Sequence, residues 1–283
     1  MIRIHYTKMS GAGNTFIMAD GRALPADLDL AAITPAICSE AHEHRGADGF
    51  MAIYPWSGGD FEMRYFNRDG STGMMCGNGG RCAVRFAHSL GLVADPEAIT
   101  FTNAGVVYTA ALTDHGCRVD FPPPRAFELG FTIDLHGAHV VCHYADVGTP
   151  HAVLFIPQDG IAGVRHITDL DIAAWGRALR FHPRFGPQGA NANFVEMRPD
   201  GAGILLRTFE RGVEGETGAC GTGAVSSAII ASLLHGLRPP VSVTVTSGAT
   251  LRVGFRINGD AVADVSLEGG AEVVMEGTVL VDV

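Results

Sequence analysis

The tetrapeptides Cys76-Gly77-Asn78-Gly79 and Cys220-Gly221-Thr222-Gly223 stand 144 positions apart in a chain of 283 residues, and the same signals follow each. After the first comes an apolar helical pattern (Cys82, Ala83, Phe86, Ala87, Leu90) that stops at Gly91. After the second, small and apolar residues run from Ala224 to Leu234 and stop at Gly236. A glycine just past the last periodic residue is a helix C-terminal signal. A Pro-containing turn (Asp95-Pro96, Pro239-Pro240) and a β-rich run (Ile99–Thr102, Val241–Thr246) then follow in both places. Agreement in order over roughly thirty residues marks an internal duplication, which restricts the fold to two similar halves.

Around the two helical runs the pattern is mostly β. Phe61, Met63 and Tyr65 alternate with polar residues, as do Val107, Thr109 and Ala111, and Leu251, Val253, Phe255 and Ile257;. A helix apolar on every side, such as Ala224–Leu234, has to be buried all round, and a curved sheet wrapped about it achieves that. The expected class is therefore α+β: two pseudo-symmetric domains, each a curved mixed β-sheet or barrel around a central helix, with a cleft between them. Pro122-Pro123-Pro124 cannot donate to a sheet and is the natural linker;. This divides the chain into residues 1–121, carrying Cys76, and 122–269, carrying Cys220.

Composition excludes several classes. The chain is 47% hydrophobic and 18% charged, which is globular, and no apolar run approaches the roughly 18 residues of a membrane span;. Twenty basic against 30 acidic residues give a net charge of −10 with no Lys/Arg-rich stretch, so neither nucleic acid nor an anionic membrane surface is an expected partner;. Met1–Phe16 has early charge and no long apolar segment, so no secretory signal is expected and a cytoplasmic location is;. Six cysteines without a CxxC pair suit neither a disulfide scaffold nor a zinc site;.

The duplicated motif carries chemistry. Glycines let a backbone turn sharply, and the first N–H groups of a helix lack internal partners and attract anions such as a carboxylate. The same field favours a thiolate over a thiol. Cys76 and Cys220 are thus poised acid/base groups, each beside an anion site. Two such groups on equivalent halves suit racemisation or epimerisation, in which one base removes a proton and a conjugate acid returns one to the opposite face. Lys8 is the sole lysine, so a Schiff base has a single candidate, and no GxxxxGK[ST] nucleotide loop is present;.

Motifs spread over nearly the whole chain resemble those of the diaminopimelate epimerases. They are Lys8–Phe16, Gly46–Gly49, Phe66–Ser71 running into Cys76–Cys82, Gly148–His151, Asn191–Phe194, Glu210–Gly212, Gly215–Thr217 and Ala219–Gly223. The resemblance implies cofactor-independent, metal-free epimerisation of LL-diaminopimelate to the meso isomer, in lysine and peptidoglycan precursor synthesis. It implies Cys76 and Cys220 as the catalytic bases, and the backbone at Gly77, Asn78, Gly221 and Thr222 as the seat of the reacting carboxylate. Asn14, Asn67, Asn191 and Arg211 match substrate-binding positions. Glu210 matches a residue that binds substrate and tunes thiol ionisation, and His151 is a further tuning residue. The resemblance also implies a homodimer, and residues 270–283 completing the first domain.

Some positions depart from the pattern. Thr149 stands where many members have an asparagine that contacts substrate, Ser10 and Thr15 replace the commoner His and Asp, and Gly218 replaces an acid or amide. Cys82 lies on the apolar face of its helix, and Cys38, Cys117 and Cys142 lack flanking glycines or charges, so all four are expected as packed thiols. His42 and His44, near Glu40 and Glu43, are expected on a solvated face. Two alternatives stay open: a racemase of another amino acid on the same scaffold, and a silent binding or thiol-redox protein. A proline racemase-type reading is disfavoured by Asn78, where that group has His.

Overall fold

A computed structural model describes residues 1–72, 75–159, 161, 163–259 and 261–282. The chain forms two compact units: Met1–Asp120 with Glu268–Val283, and Phe121–Leu267. It passes from the first to the second just before Pro122-Pro123-Pro124.

Unit one opens with the antiparallel pair β1 (Ile2–Gly11) and β2 (Asn14–Asp20). Helix α1 (Leu30–Ile37) leads to β3 (Gly49–Pro55), parallel to β2, and β4 (Phe61–Asn67) returns antiparallel. Helix α2 (Gly77–Ser89) leads to β5 (Ile99–Asn103), parallel to β4, with β6 (Val106–Thr113) and β7 (Gly116–Phe121) as successive antiparallel neighbours.

Unit two repeats this plan. β8 (Ala126–Leu135), β9 (Ala138–Asp146) and β10 (Pro150–Ile156) are successive antiparallel neighbours. Helix α3 (Ile172–Arg180) leads to β11 (Asn191–Met197), parallel to β10, and β12 (Gly203–Glu210) returns antiparallel. The two-residue β13 (Gly215–Glu216) pairs with β12. Helix α4 (Gly221–His235) leads to β14 (Val241–Val245), parallel to β12 and antiparallel to β15 (Thr250–Asn258). After β16 (Ala261–Gly269), β17 (Glu272–Val281) rejoins unit one along β1. The steps β4-α2-β5 and β12-α4-β14 are the same step, so the duplication read from the sequence is a duplication of topology.

The hydrophobic pattern explains how each helix is held. α2 packs against β1, β2, β3 and β6, and α4 against β9, β10, β11, β12, β14 and β15. Strands from well-separated positions in each sheet touch one helix, so the sheet curls around it. Cys82, Ala83, Val84 and Ala87 face that interior from α2 with no exposure, and α4 is buried from Gly223 through Ser232. α1 and α3 cover the outer faces: Leu30, Ile33 and Ile37 seal one, and Ile172 and Leu179 the other. Gly91 and Gly236, both near φ +70°, terminate α2 and α4;.

Two local expectations are corrected. Val107 is exposed while Ala110 and Ala111 are buried, so the alternation of Val107, Thr109 and Ala111 does not mark the inner face of β6. The first half of that strand is exposed although its β5 partners Thr102 and Asn103 are buried, so alternation does not track burial there. His44 is buried rather than solvated: its Nδ1 accepts from the Gly46 N–H at 3.2 Å, and its ring meets Tyr6 edge-on. Lys8 Nζ donates to the His44 carbonyl at 2.7 Å, and this long-range tie draws the segment inward.

The hydroxyls of Ser226, Ser227 and Ser232 on α4 are buried without a hydrogen-bond partner. A lone buried hydroxyl is costly, and its removal leaves a cavity of about one atom. Ser227→Ala is therefore expected to raise the urea midpoint, by up to about 1 kcal/mol in stability. A loss of similar size would show that the hydroxyl makes a bond.

Candidate active site

Cys76 and Cys220 occupy the same structural position. Each is the extended residue capping a helix, at φ −105° and ψ 119° for Cys76 and φ −114° and ψ 111° for Cys220. The Cys76 carbonyl accepts from Gly80 N–H (2.7 Å) and the Cys220 carbonyl from Ala224 N–H (2.9 Å), which closes both first turns. At α4 the Gly223 N–H points at Cys220 Sγ (3.4 Å), with Thr222 Oγ1 at 3.7 Å. Cys76 is half-buried and Cys220 is 5% exposed.

Two glycines keep these turns narrow. A Cβ on Gly223 would sit 2.5 Å from Asn193 Oδ1 and 3.2 Å from Cys220 Sγ. A Cβ on Gly11 would sit 2.5 Å from the Asn78 carbonyl oxygen, so the β1–β2 turn lies directly against the start of α2.

In unit one the structure brings Asn14, Gly77, Asn78 and Cys76 together. Asn78 Nδ2 donates to Asn14 Oδ1 (2.7 Å), and Asn14 Nδ2 reaches Asp48 Oδ2 at 3.4 Å. The Asp48 carboxylate also accepts the Thr15 N–H (2.8 Å), and its carbonyl accepts the Arg68 N–H (3.1 Å). Asn67, next to Arg68, joins the group through this backbone link; its own amide donates to Ser71 Oγ (3.0 Å). Arg81 escaped the sequence reading. It is fully buried, donating through Nη1 to the Gly77 carbonyl (3.1 Å), Nη2 to Asn78 Oδ1 (2.9 Å) and Nε to the Gly270 carbonyl (3.4 Å). A charged residue five positions after the cysteine, on the apolar face of the helix, is the signal that would have found it.

In unit two His151, Asn191, Arg211, Thr222 and Cys220 share one network, and Glu210 precedes Arg211 in the chain. Asn193 Nδ2 donates to His151 Nδ1 (3.1 Å), which places the ring proton on Nε2, where Thr149 Oγ1 accepts (3.0 Å). Thr149 Oγ1 in turn donates to Thr222 Oγ1 (3.3 Å), in the first turn of α4. Burial pushes the His151 imidazole down to about 3 and Arg211 adds to this, so the ring is neutral. Asn191 Oδ1 accepts the Arg211 N–H (2.8 Å) and its amide donates to the Pro150 carbonyl (3.2 Å). Thr217 Oγ1 donates to Glu210 Oε1.

The loop from Arg211 to Cys220 is pinned midway. Arg207 grips Glu216 with Nε and Nη2 at 2.8 Å each, which holds the Glu216 carboxyl below its usual range, and its Nη1 caps the Ile167 and Leu170 carbonyls. Asn193, fully buried and accepting from Thr208 Oγ1 (3.0 Å), also went unread, although its two-residue spacing from Asn191 puts both on one face of β11;. Beside Arg211 a cavity of about 540 Å³ opens in unit two, lined also by Arg125, Tyr144, Asp146 and Arg184.

The remaining cysteines are packed as expected. Cys38, Cys82, Cys117 and Cys142 have no exposure, and burial pushes each thiol up to about 12. Among the described residues no group of three or more His, Cys, Asp or Glu side chains could hold a metal, and no helix is long and apolar enough to cross a membrane.

Comparison with known proteins decides the family. The diaminopimelate epimerase family model matches residues 6–125 and 143–279. The chain belongs to the diaminopimelate epimerase family. Diaminopimelate epimerase of Chlorobaculum tepidum is 38% identical to it, over 96% of this chain and 99% of that protein. Solved structures share the fold at lower identity. The phenazine biosynthesis protein of the PhzF family from Bacillus anthracis has a TM-score of 0.73 at 14% identity, covering 99% of this chain and all of that one. A probable proline racemase from Agrobacterium radiobacter has a TM-score of 0.70 at 18% identity, covering 99% and 93%. The Thr149 hydroxyl bridges His151 to α4.

Two outcomes follow from this geometry. Gly223→Ala should lower turnover about a hundredfold, because the added methyl displaces Asn193 or Cys220 by a large fraction of an ångström; activity within a factor of three would contradict the packing. His151, depressed below its unfolded value of about 6.5, contributes stability that is complete above that pH and is lost progressively as pH falls toward 3;. Urea midpoints between pH 7 and 4 should fall, and His151→Gln should flatten part of that fall.

Proposed function

We propose that this chain interconverts LL- and meso-diaminopimelate by a two-base mechanism that uses no cofactor. The observation that carries the reading is the pair of cysteines capping equivalent helices, one in each copy of a duplicated fold, in a chain of this family.

An amino acid α-proton is far less acidic than a thiol, so the developing negative charge needs stabilisation where it spreads, on the α-carboxylate. The first N–H groups of α2 and α4, at Gly77-Asn78 and Gly221-Thr222, are suited to receive that carboxylate, and both macrodipoles favour the anion. One cysteine, as thiolate, takes the α-proton; the other, as thiol, gives its proton to the opposite face of the carbanion. The pair exchanges roles in the reverse direction and titrates as a coupled unit.

Arg211 supplies a planar fork for the distal carboxylate, at the rim of the cavity in unit two;. Asn191 fixes the backbone under it, and Asn14 and Asn67 contribute amides from unit one. Glu210 binds substrate near the reacting centre and bears on thiol ionisation. Neutral His151 acts by holding Thr149 and Thr222 in place. The family reading also carries a cytoplasmic homodimer, whose mass sedimentation would read directly.

Purified protein incubated with LL-diaminopimelate and a chelator should form the meso isomer, resolved by chiral chromatography. Absence of conversion, or faster epimerisation of a monocarboxylic amino acid, would overturn the substrate assignment. Cys76→Ala and Cys220→Ala should each abolish epimerisation. Arg211→Lys should cost at least roughly tenfold in kcat/KM, because a point charge does not reproduce bidentate binding.

A further inference from the structure

Arg180 ends α3, buried and outside the lining of the cavity beside Arg211, yet it bonds to two segments that supply that lining. Its Nη1 donates to the Gln188 carbonyl (2.9 Å) and its Nη2 to Glu214 Oε1 (2.9 Å). Gln188 and Gly189 line the cavity, and Glu214 stands three residues after Arg211. Gly189 leaves space for the guanidinium: at φ +69°, a Cβ there would overlap both Arg180 Nη1 and the Arg180 carbonyl oxygen. The same carbonyl accepts the Ala190 N–H (3.3 Å), which holds the chain again just before β11.

Glu214 adopts φ +56°. A left-handed conformation is strained for a residue with a side chain, and glycine would make the same turn without that cost. What glycine would lack is the carboxylate. Glu214 Oε1 accepts the Gly212 N–H (3.1 Å) as well as Arg180 Nη2, and the Glu214 N–H donates to the Glu210 carbonyl (2.8 Å). These bonds close the turn from Glu210 to Glu214 and tie it to the end of α3. The Arg180 side chain is 9% exposed and that of Glu214 35%, so the ion pair lies at the edge of the interior. A guanidinium there, left without its carboxylate, is costly, and the pair stays closed.

Arg211 sits inside this turn. Asn191 Oδ1 takes its N–H (2.8 Å) from β11, and the Glu214 carboxylate takes the next N–H, that of Gly212. The backbone that carries the guanidinium is therefore fixed on one side by a strand and on the other by α3. The Gln188–Gly189 wall is fixed by the same Arg180. We propose that the Arg180–Glu214 pair is a positioning device that sets Arg211 against this wall of the cavity, and so sets the affinity for a substrate with a second carboxylate. Neither residue lines the cavity, so their effect on substrate passes through Arg211. This deepens the reading of Arg211 as the partner of the distal carboxylate and rests on it.

Steady-state kinetics with LL-diaminopimelate and hydrogen exchange of the free protein test it together. In Glu214→Ala the KM should rise about tenfold with kcat within about a factor of two, since a distal contact contributes equally to ground and transition states. Glu214→Gln keeps an acceptor for Gly212 and Arg180, and its KM should stay within about threefold of the unaltered protein. Exchange of the peptide carrying Gly212 and Glu214 should quicken at least about tenfold in Glu214→Ala and in Arg180→Met. A KM unchanged in Glu214→Ala, or a kcat that falls in its place, overturns the proposal, and so does unchanged exchange. If Glu214→Ala does not fold, the double variant Arg180→Met with Glu214→Met removes the pair without stranding a charge, and its KM and exchange decide. Should the unaltered protein not act on LL-diaminopimelate, the substrate reading fails by itself, and exchange still decides whether the pair fixes Arg211.

Discussion

A helix whose first turn is left open to a ligand must be anchored everywhere else, and this requirement shapes both halves of the chain. The N–H groups at the starts of α2 and α4 are useful only while no side chain closes over them. Glycine at positions 77, 79, 221 and 223 meets that condition, and Gly11 lets the neighbouring turn approach the Asn78 carbonyl. Such a glycine-rich turn has little intrinsic helical stability. The sheet curled around each helix supplies it through burial of Cys82, Ala83 and Ala87 in one unit and the small and aliphatic residues of α4 in the other.

The two copies hold their cysteines by different means. Around Cys220 the support is neutral: His151, stripped of charge by burial, passes a run of hydrogen bonds from Asn193 through Thr149 to Thr222. Around Cys76 it is ionic at its centre, with the Arg81 guanidinium clamped to Gly77 and Asn78 and the amides of Asn78 and Asn14 extending to Asp48. The duplicated backbone makes the two thiols equivalent in position, while the side chains beneath them differ.

Much of this was legible in the residues, for physical reasons. Gly91 and Gly236 end their helices because only glycine takes the left-handed turn cheaply, and Phe61, Met63 and Tyr65 sit in the core because a strand alternates its faces;. The motif cysteines were found because their glycines constrain the backbone locally. What stayed hidden depends on contacts between distant segments. His44 is drawn inward by Lys8, 36 positions away, and Val107 is exposed while its β5 partner Thr102 is buried. Asn193 and Arg81 are polar residues on apolar faces, and periodicity alone reads such positions as interruptions rather than as sources of fixed charge and hydrogen bonds.

The central claim is that two thiols, one from each unit, serve opposite faces of one carbon. Deuterium incorporation from D2O at early times tests it most directly. Each thiol carries a single proton that exchanges with solvent, so product should acquire deuterium at the inverted carbon while recovered substrate remains unlabelled. Equal labelling of substrate and product from the first time points would instead require a single base, or a carbanion that exchanges freely, and would contradict the account.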